Sequence, residues 1–335
     1  IHGSPTCTMI FGDGGGATGF LVGEENAGMA CMFTMMNRAR LAVGLQGVGV
    51  AECATQQALA YARERRQGRT AGMNASQSAP IIVHPDVRRM LLTMRTLTQA
   101  ARAICYATAL AIDRSERADD AEARSEANRQ ASLLTPVAKA ISTDIGNEVA
   151  SLSIQVHGGM GYIEETGASQ LFRDARIAAI YEGTNGIQAV DLVARKLPLD
   201  DGAVVASHID ELRGVVRALD ASNDPGFGWT AVRLGEAVES LARATNWLLA
   251  RLPKEPDAAL AGATPYLRLF GLTTGGCLLA KQALTAMRLG EDAGARVGLT
   301  RFFAENLAVG AGALERTVVE GAAGVIGADA ALASS

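Results

Sequence analysis

Glu182 stands between an apolar run, Ile177-Ala178-Ala179-Ile180-Tyr181, and the turn sequence Gly183-Thr184-Asn185-Gly186. A carboxylate pressed against hydrocarbon has its charged form disfavoured, so its pKa rises. That is one way to build a base that takes a proton from carbon. A random glutamate is usually a solvated loop residue, so the surroundings must carry the reading. Two further stretches are pertinent. In Gln155-Val156-His157-Gly158-Gly159-Met160-Gly161-Tyr162 the paired glycines let backbone approach a ligand, and Gln155 offers both a donor and an acceptor. Taken alone, this is also an ordinary helix stop. Arg173-Asp174-Ala175-Arg176 reads as a surface or interhelical ion pair of small stability value.

Other chemistries find little support. Cys7, Cys31, Cys53, Cys105 and Cys277 lack CxxC spacing, which argues against a disulfide framework or a zinc site and for buried free thiols in a reducing cytosol. The four histidines form no HxxxH pattern, so no metal is expected. The net charge of −4 comes without a large Lys/Arg cluster, so neither nucleic acid nor an anionic membrane is an obvious partner. The opening residues have no basic-then-apolar pattern of a signal peptide, and no apolar run reaches the roughly 18 residues of a membrane span. Gly14, Gly16 and Gly19 satisfy GxGxxG, but Phe20-Leu21-Val22 follow where a dinucleotide site needs a helix.

The elements that must position these residues are mainly helical. Residues 1–34 read as strand and turn, with CTMIF and GFLV flanking GDGGGAT. From about Met35, the apolar series Leu41, Leu45, Val48, Thr55, Leu59 and Ala62 predicts one long helix ending in the basic run Arg63 to Arg69, before a Gly, Asn and Ser loop. His84-Pro85-Asp86 opens a second helix lined by Val87, Met90, Leu91, Met94, Leu97, Ala101 and Ile104. After a charged stretch, Asp113 to Arg129, that spans a helix end and a connection, a third runs from about Ala131 to Val156, kinked or begun at Pro136. A fourth, about Ile187 to Lys196, takes Thr184 or Asn185 as N-cap. Beyond Pro198, segments near 207–220, 229–251, 265–288 and 300–320 predict a further all-helical domain.

QVHGGMGY followed by LFRDARIAAIYEGTNGIQ, in that order and spacing, resembles the C-terminal signature of the acyl-CoA dehydrogenases. The likeness extends upstream through GFLVGEENAGMACMFTMMNRARLAVGLQGVGVAE and YARERRQGR, and the region after 200 is similar to the extra helical domain of longer bacterial members. The implied fold is mainly α. Residues 1–34 would be the end of a central β-domain, residues 35–198 a four-helix flavin and catalytic domain, and residues 203–335 an additional helical domain. The N-terminal helical domain and most of the β-domain would lie outside the chain, which, as such a fragment, would by itself bind FAD weakly or not at all.

The resemblance also implies roles. Glu182 would remove the α-proton of an acyl-CoA thioester while a hydride leaves the β-carbon for flavin N5; the enolate oxygen then needs donors, supplied by a backbone N–H and a ribityl hydroxyl. Some members carry the base on the first helix instead; here that position is Ala39, which has no proton-accepting group. Asn37, Arg40, Glu182 and Gly183 would contact substrate. Gly183, Thr184 and Gln188 would contact FAD, Arg65 would lie beside its pyrophosphate, and Gln155, Gly158 and Gly159 would reach the ADP part of a neighbouring subunit's FAD. Pro85 and Gln67-Gly68 depart from the family pattern near the cofactor. The implied protein is a cytoplasmic homodimer or homotetramer that passes electrons to electron-transfer flavoprotein. Two alternatives use the same fold: an acyl-CoA oxidase returning electrons to oxygen, and a non-catalytic, DNA-protecting homologue. The second would want a basic C-terminal domain, whereas residues 201–335 carry twelve Lys and Arg against fifteen Asp and Glu.

Overall fold

Small residues along one side of the first helix set how the molecule is built. The computed structural model describes residues 3–70, 74 and 77–333, so the loop after Arg69 is described only in part. Helix α1 spans Gly28–Glu64 and α3 spans Ala121–His157. Their backbones nearly touch: a Cβ on Gly44 would lie 2.7 Å from the Ala138 carbonyl oxygen, and one on Gly47 would lie 2.4 Å from that of Ser142. The buried stripe continues through Ala51, Ala54, Ala58 and Ala62. This corrects the apolar face read from the sequence, because Leu45 is 40% exposed and its place is taken by Gly44. Close helix contact selects for small side chains rather than for large apolar ones.

Helix α2, Pro85–Arg117, packs across both, with Pro85 in the first turn and Met90, Leu91, Met94, Leu97, Ala101 and Ile104 buried as expected. Helix α3 begins well before the expected Ala131. Asp120 caps it, its carboxylate accepting the Ala123 N–H at 2.8 Å. The charged stretch 113–129 does span the end of α2 and a short connection at 118–120, but its remainder forms the solvated first turns of α3, where Arg129 pairs with Glu126 at 2.6 Å and Glu122 at 3.3 Å. Pro136 lies inside this helix rather than at its start.

Helix α1 stops at Glu64, inside the basic run as expected; Arg65 is extended, and Gln67 and Ala79 pair across the loop (Gln67 N to Ala79 O, 2.9 Å). The fourth layer of the bundle is two helices rather than one: α4, Ala168–Ala178, and α5, Asn185–Asp191, which continues as a π turn over Leu192–Lys196. Between them lies the Glu182 turn.

After Pro198 come α6 (Ala203–Ser222), α7 (Thr230–Arg251), α8 (Ala263–Arg288), α9 (Gly294–Asn306) and α10 (Ala311–Glu320). Helix α8 is the hub, packing on α2, α3 and α5 as well as on its neighbours. Gly271 lets it sit on Ile141, where a Cβ would meet the side chain at 2.5 Å. One continuous apolar core results, from Val48 to Val318.

The strand reading of residues 1–34 is not met. Among the described residues there is no strand, and Met9, Ile10, Phe11, Phe20, Leu21 and Val22 are exposed. A strand needs a neighbour for its backbone, and none of the described residues supplies one. The buried-thiol expectation holds for Cys105 and Cys277 only; Cys7, Cys31 and Cys53 are exposed, Cys53 on the outer side of α1. Among the described residues no helix is long and apolar enough to cross a membrane, and no cluster of His, Cys, Asp or Glu is placed to hold a metal.

Candidate active site

Glu182 has φ +57°, and Gly183 follows at φ +86°. Two successive left-handed residues reverse the chain sharply between α4 and α5. For glutamate that conformation costs on the order of 1–2 kcal/mol, so it persists only where surrounding contacts fix it. Those contacts are present. Lys139 of α3 donates from Nζ to the Gly183 carbonyl oxygen at 2.9 Å and to Asn185 Oδ1 at 2.8 Å. Gln188 Nε2 donates to the same Gly183 oxygen at 3.3 Å, and a Cβ on Gly183 would lie 2.8 Å from that nitrogen. Asn185 in turn donates to Ala140 O at 3.1 Å and Asp144 Oδ1 at 2.7 Å. Thr184 caps α5, its hydroxyl accepting the Ile187 N–H at 3.3 Å, as expected from the sequence. Tyr181 donates its hydroxyl hydrogen bond to Gln46 Oε1 of α1.

Lys139 is the residue that sequence reasoning missed. It is fully buried, and burial pushes its pKa down to about 8, with the charge of Arg40 acting in the same direction and Asp144 and Glu182 opposing. Its signal was available: it is the lone charge in the otherwise uncharged run Ala131 to Thr143. Glu182 itself is half-buried, so the hydrocarbon around it covers one side only.

Arg40 lies beneath this turn rather than at the surface. It is 8% exposed and pairs through Nη1 with Asp191 Oδ2 at 3.1 Å, and Arg195 holds the other Asp191 oxygen at 2.7 Å. Its contact is thus with the end of α5, and Asn37, one turn earlier on α1, is exposed.

The remaining candidates gather elsewhere. His157 stacks on Tyr61 with ring centroids 4.5 Å apart, which ties the end of α3 to the end of α1. Arg65 follows the one; Gln155, Gly158 and Gly159 surround the other, and all four are exposed. Gly158 has φ +61° and ends α3. Along α1, Gln46 and Arg65 are separated by roughly 28 Å at 1.5 Å rise per residue. The Glu182 turn and the Arg65–Gly159 cluster are therefore two separate places on one protomer. Arg173, by contrast, pairs with Glu164 at 2.5 Å on the surface, as its local pattern suggested.

Residues 26–197 match the acyl-CoA dehydrogenase C-terminal domain, and residues 208–329 match an acetyl-CoA dehydrogenase C-terminal-like domain. The chain belongs to the acyl-CoA dehydrogenase family. It is 46% identical over 286 residues to the 3-methylmercaptopropionyl-CoA dehydrogenase of Ruegeria pomeroyi, covering 85% of this chain and 48% of that protein. It is 30% identical over 332 residues to a broad-specificity linear acyl-CoA dehydrogenase of Mycobacterium tuberculosis, covering 90% and 52%. The chain thus spans about half the length of these curated relatives. In fold it is similar to an acyl-CoA dehydrogenase from Bacillus anthracis solved with FAD, at TM-score 0.71 and 19% identity over 93% of this chain and 55% of that one.

Proposed function

We propose that this acyl-CoA dehydrogenase-family chain supplies the base and the ADP-holding helix ends of an enzyme that desaturates an acyl-CoA thioester between its α and β carbons. The observation that carries the reading is the strained, clamped backbone at Glu182: a carboxylate set in a conformation that Lys139, Gln188 and Asn185 hold rigid. Such rigidity suits a base whose reach is fixed by hydrogen-bond distance. Glu182 takes the α-proton; Gly183 leaves room above the turn for the thioester, and Arg40, through Asp191, fixes the helix that follows.

The residues present fit FAD as the cofactor. Arg65 offers an exposed cation for a pyrophosphate, Gln155 an exposed amide, and Gly159 an approach free of any side chain within 4 Å. When bound, FAD supplies the acceptor for the β-hydride. Gly183, Thr184 and Gln188 would hold its ring end and Arg65, Gln155, Gly158 and Gly159 its ADP end. Because these two groups stand apart along α1, the reading places them on the cofactors of different subunits, which makes the protein a homodimer or homotetramer. Electron-transfer flavoprotein is the proposed acceptor, and the exposed apolar runs of residues 9–22 are proposed to pair within the rest of a central β-domain.

The test is Glu182→Gln in the complete enzyme, which keeps shape and removes the proton acceptor. Flavin content should stay as in the wild type and desaturation should fall at least about a hundred-fold, the scale of general-base catalysis. A fall of less than about ten-fold with flavin retained would overturn Glu182 as base.

A further inference from the structure

Helices α2, α3, α6 and α8 line a half-open cavity of about 820 Å³ that shares no residue with the Glu182 turn or the Arg65–Gly159 cluster. Its walls are mainly apolar, with Leu134, Leu212, Leu278 and Leu284 among them. Its innermost polar groups are buried and uncharged. His208 Nε2 bonds to the Thr274 hydroxyl at 3.0 Å, and burial pushes this imidazole down to about 4 and the Cys277 thiol up to about 12. The exposed part of the lining, which marks its mouth, carries charge beside Leu110, Ala218 and Ala221. The charges are Arg114, Lys281 and Arg288 against the single acid Glu211. Among the described residues none of the three cations has a carboxylate within ion-pair distance, in contrast to Arg129, Arg213 and Arg243 on the same surface.

An apolar chamber of this size with a few polar groups at one end is the usual build of a small-molecule site. Here the polarity runs one way, from uncharged floor to cationic mouth. From this gradient we infer that the cavity is a binding site for a long-chain monocarboxylate, its hydrocarbon chain among the leucines and its carboxylate at Arg114, Lys281 and Arg288. A cationic or a neutral amphiphile would leave those three charges uncompensated. The inference is independent of the role given to Glu182.

The probe is dodecanoate, titrated calorimetrically into the protein below its micelle threshold, beside dodecylammonium and dodecanol. Dodecanoate should bind, and dodecylammonium should bind at least about ten-fold more weakly, a difference of about 1.4 kcal/mol. The triple variant R114Q/K281Q/R288Q should weaken dodecanoate by a similar factor or more and leave dodecanol unchanged. Ala218→Trp fills the chamber from an exposed position on α6, so it should fold normally and abolish binding of both; Ala221→Trp serves the same purpose. Glu182→Gln should bind dodecanoate like the wild type. Equal affinity for dodecylammonium, dodecanoate binding that survives Ala218→Trp, or no dodecanoate binding at all would each overturn the assignment.

Discussion

Lys139 Nζ donates a 2.9 Å hydrogen bond to the carbonyl oxygen of Gly183, the residue directly after Glu182. A fully buried ammonium on α3 thus holds a backbone carbonyl in a left-handed turn from below. The close contact of α1 with α3 at Gly44 and Ala138 places Lys139 there, because Ala138 is its neighbour in sequence. Helix packing, a buried charge and the orientation of the candidate base are therefore one linked arrangement.

Lys139→Met should loosen that turn. It removes the donor from two part-buried acceptors, each worth about 1–3 kcal/mol at most when left unsatisfied, although Gln188 and Thr143 retain part of the network. Desaturation should fall in kcat more than in KM. A pH test separates Lys139 from simple packing. Its folded pKa is depressed from 10.5 to about 8, so between these values the unfolded chain binds a proton that the folded chain does not. Stability contributed by this group therefore rises with pH across that window. Denaturation midpoints at pH 7.5 and 10 should show this relative gain in the wild type and not in Lys139→Met.

Gly47→Ala tests the contact beneath the turn. The new methyl would sit 2.4 Å from the Ser142 carbonyl oxygen, a backbone atom that cannot swing aside. Overpacking of this kind costs about 1–3 kcal/mol. Thermal unfolding should fall accordingly, and a midpoint equal to the wild type would show that α1 and α3 are farther apart than described.

Acid should weaken the fold through His208. Its folded pKa is lowered from 6.5 to about 4 by burial, so as pH falls through that range the unfolded state takes up a proton first. Stability drops across the window by about 3 kcal/mol at most. His208→Gln keeps a hydrogen-bonding group for Thr274 without the titration. The loss of midpoint between pH 7 and pH 4.5 should therefore shrink in this variant.

What could be read from the sequence was what neighbours in sequence decide. The Glu182 turn, the Thr184 cap, Pro85 at the head of α2 and the stop at Gly158 all rest on residues within a few positions of one another. The partners that hold the turn do not. Lys139 and Gly183 are 44 positions apart, and Arg40 and Asp191 are 151 apart, so no local pattern joins them. Leu45 reads as inward wherever size stands for burial; the true face is marked by glycine and alanine, which a hydrophobicity pattern ranks low. The strand reading of residues 1–34 rests on short apolar runs and turn composition, yet a strand exists only when another pairs with it.

Among the described residues nothing requires a glycine at Gly159: its φ is not left-handed, and a Cβ there would meet nothing within 4 Å. Gly161, two residues on, is different, since its Cβ would lie 2.5 Å from the Ile154 carbonyl oxygen. A glycine kept bare in open space is explained if something from outside the chain comes close, which the proposed function takes to be the ADP part of a partner's FAD. Gly159→Leu should therefore leave the thermal stability of the apo chain within about 0.5 kcal/mol, as for an ordinary surface substitution. In the complete enzyme it should weaken FAD retention by about ten-fold or more. The measurements are the unfolding midpoint and the flavin-to-protein absorbance ratio after gel filtration at falling concentration. If Gly159→Leu keeps its flavin and its assembly state as the wild type does, the division of the cofactor contacts between subunits is wrong. If the apo midpoint drops as in Gly47→Ala, the glycine is explained inside the chain instead.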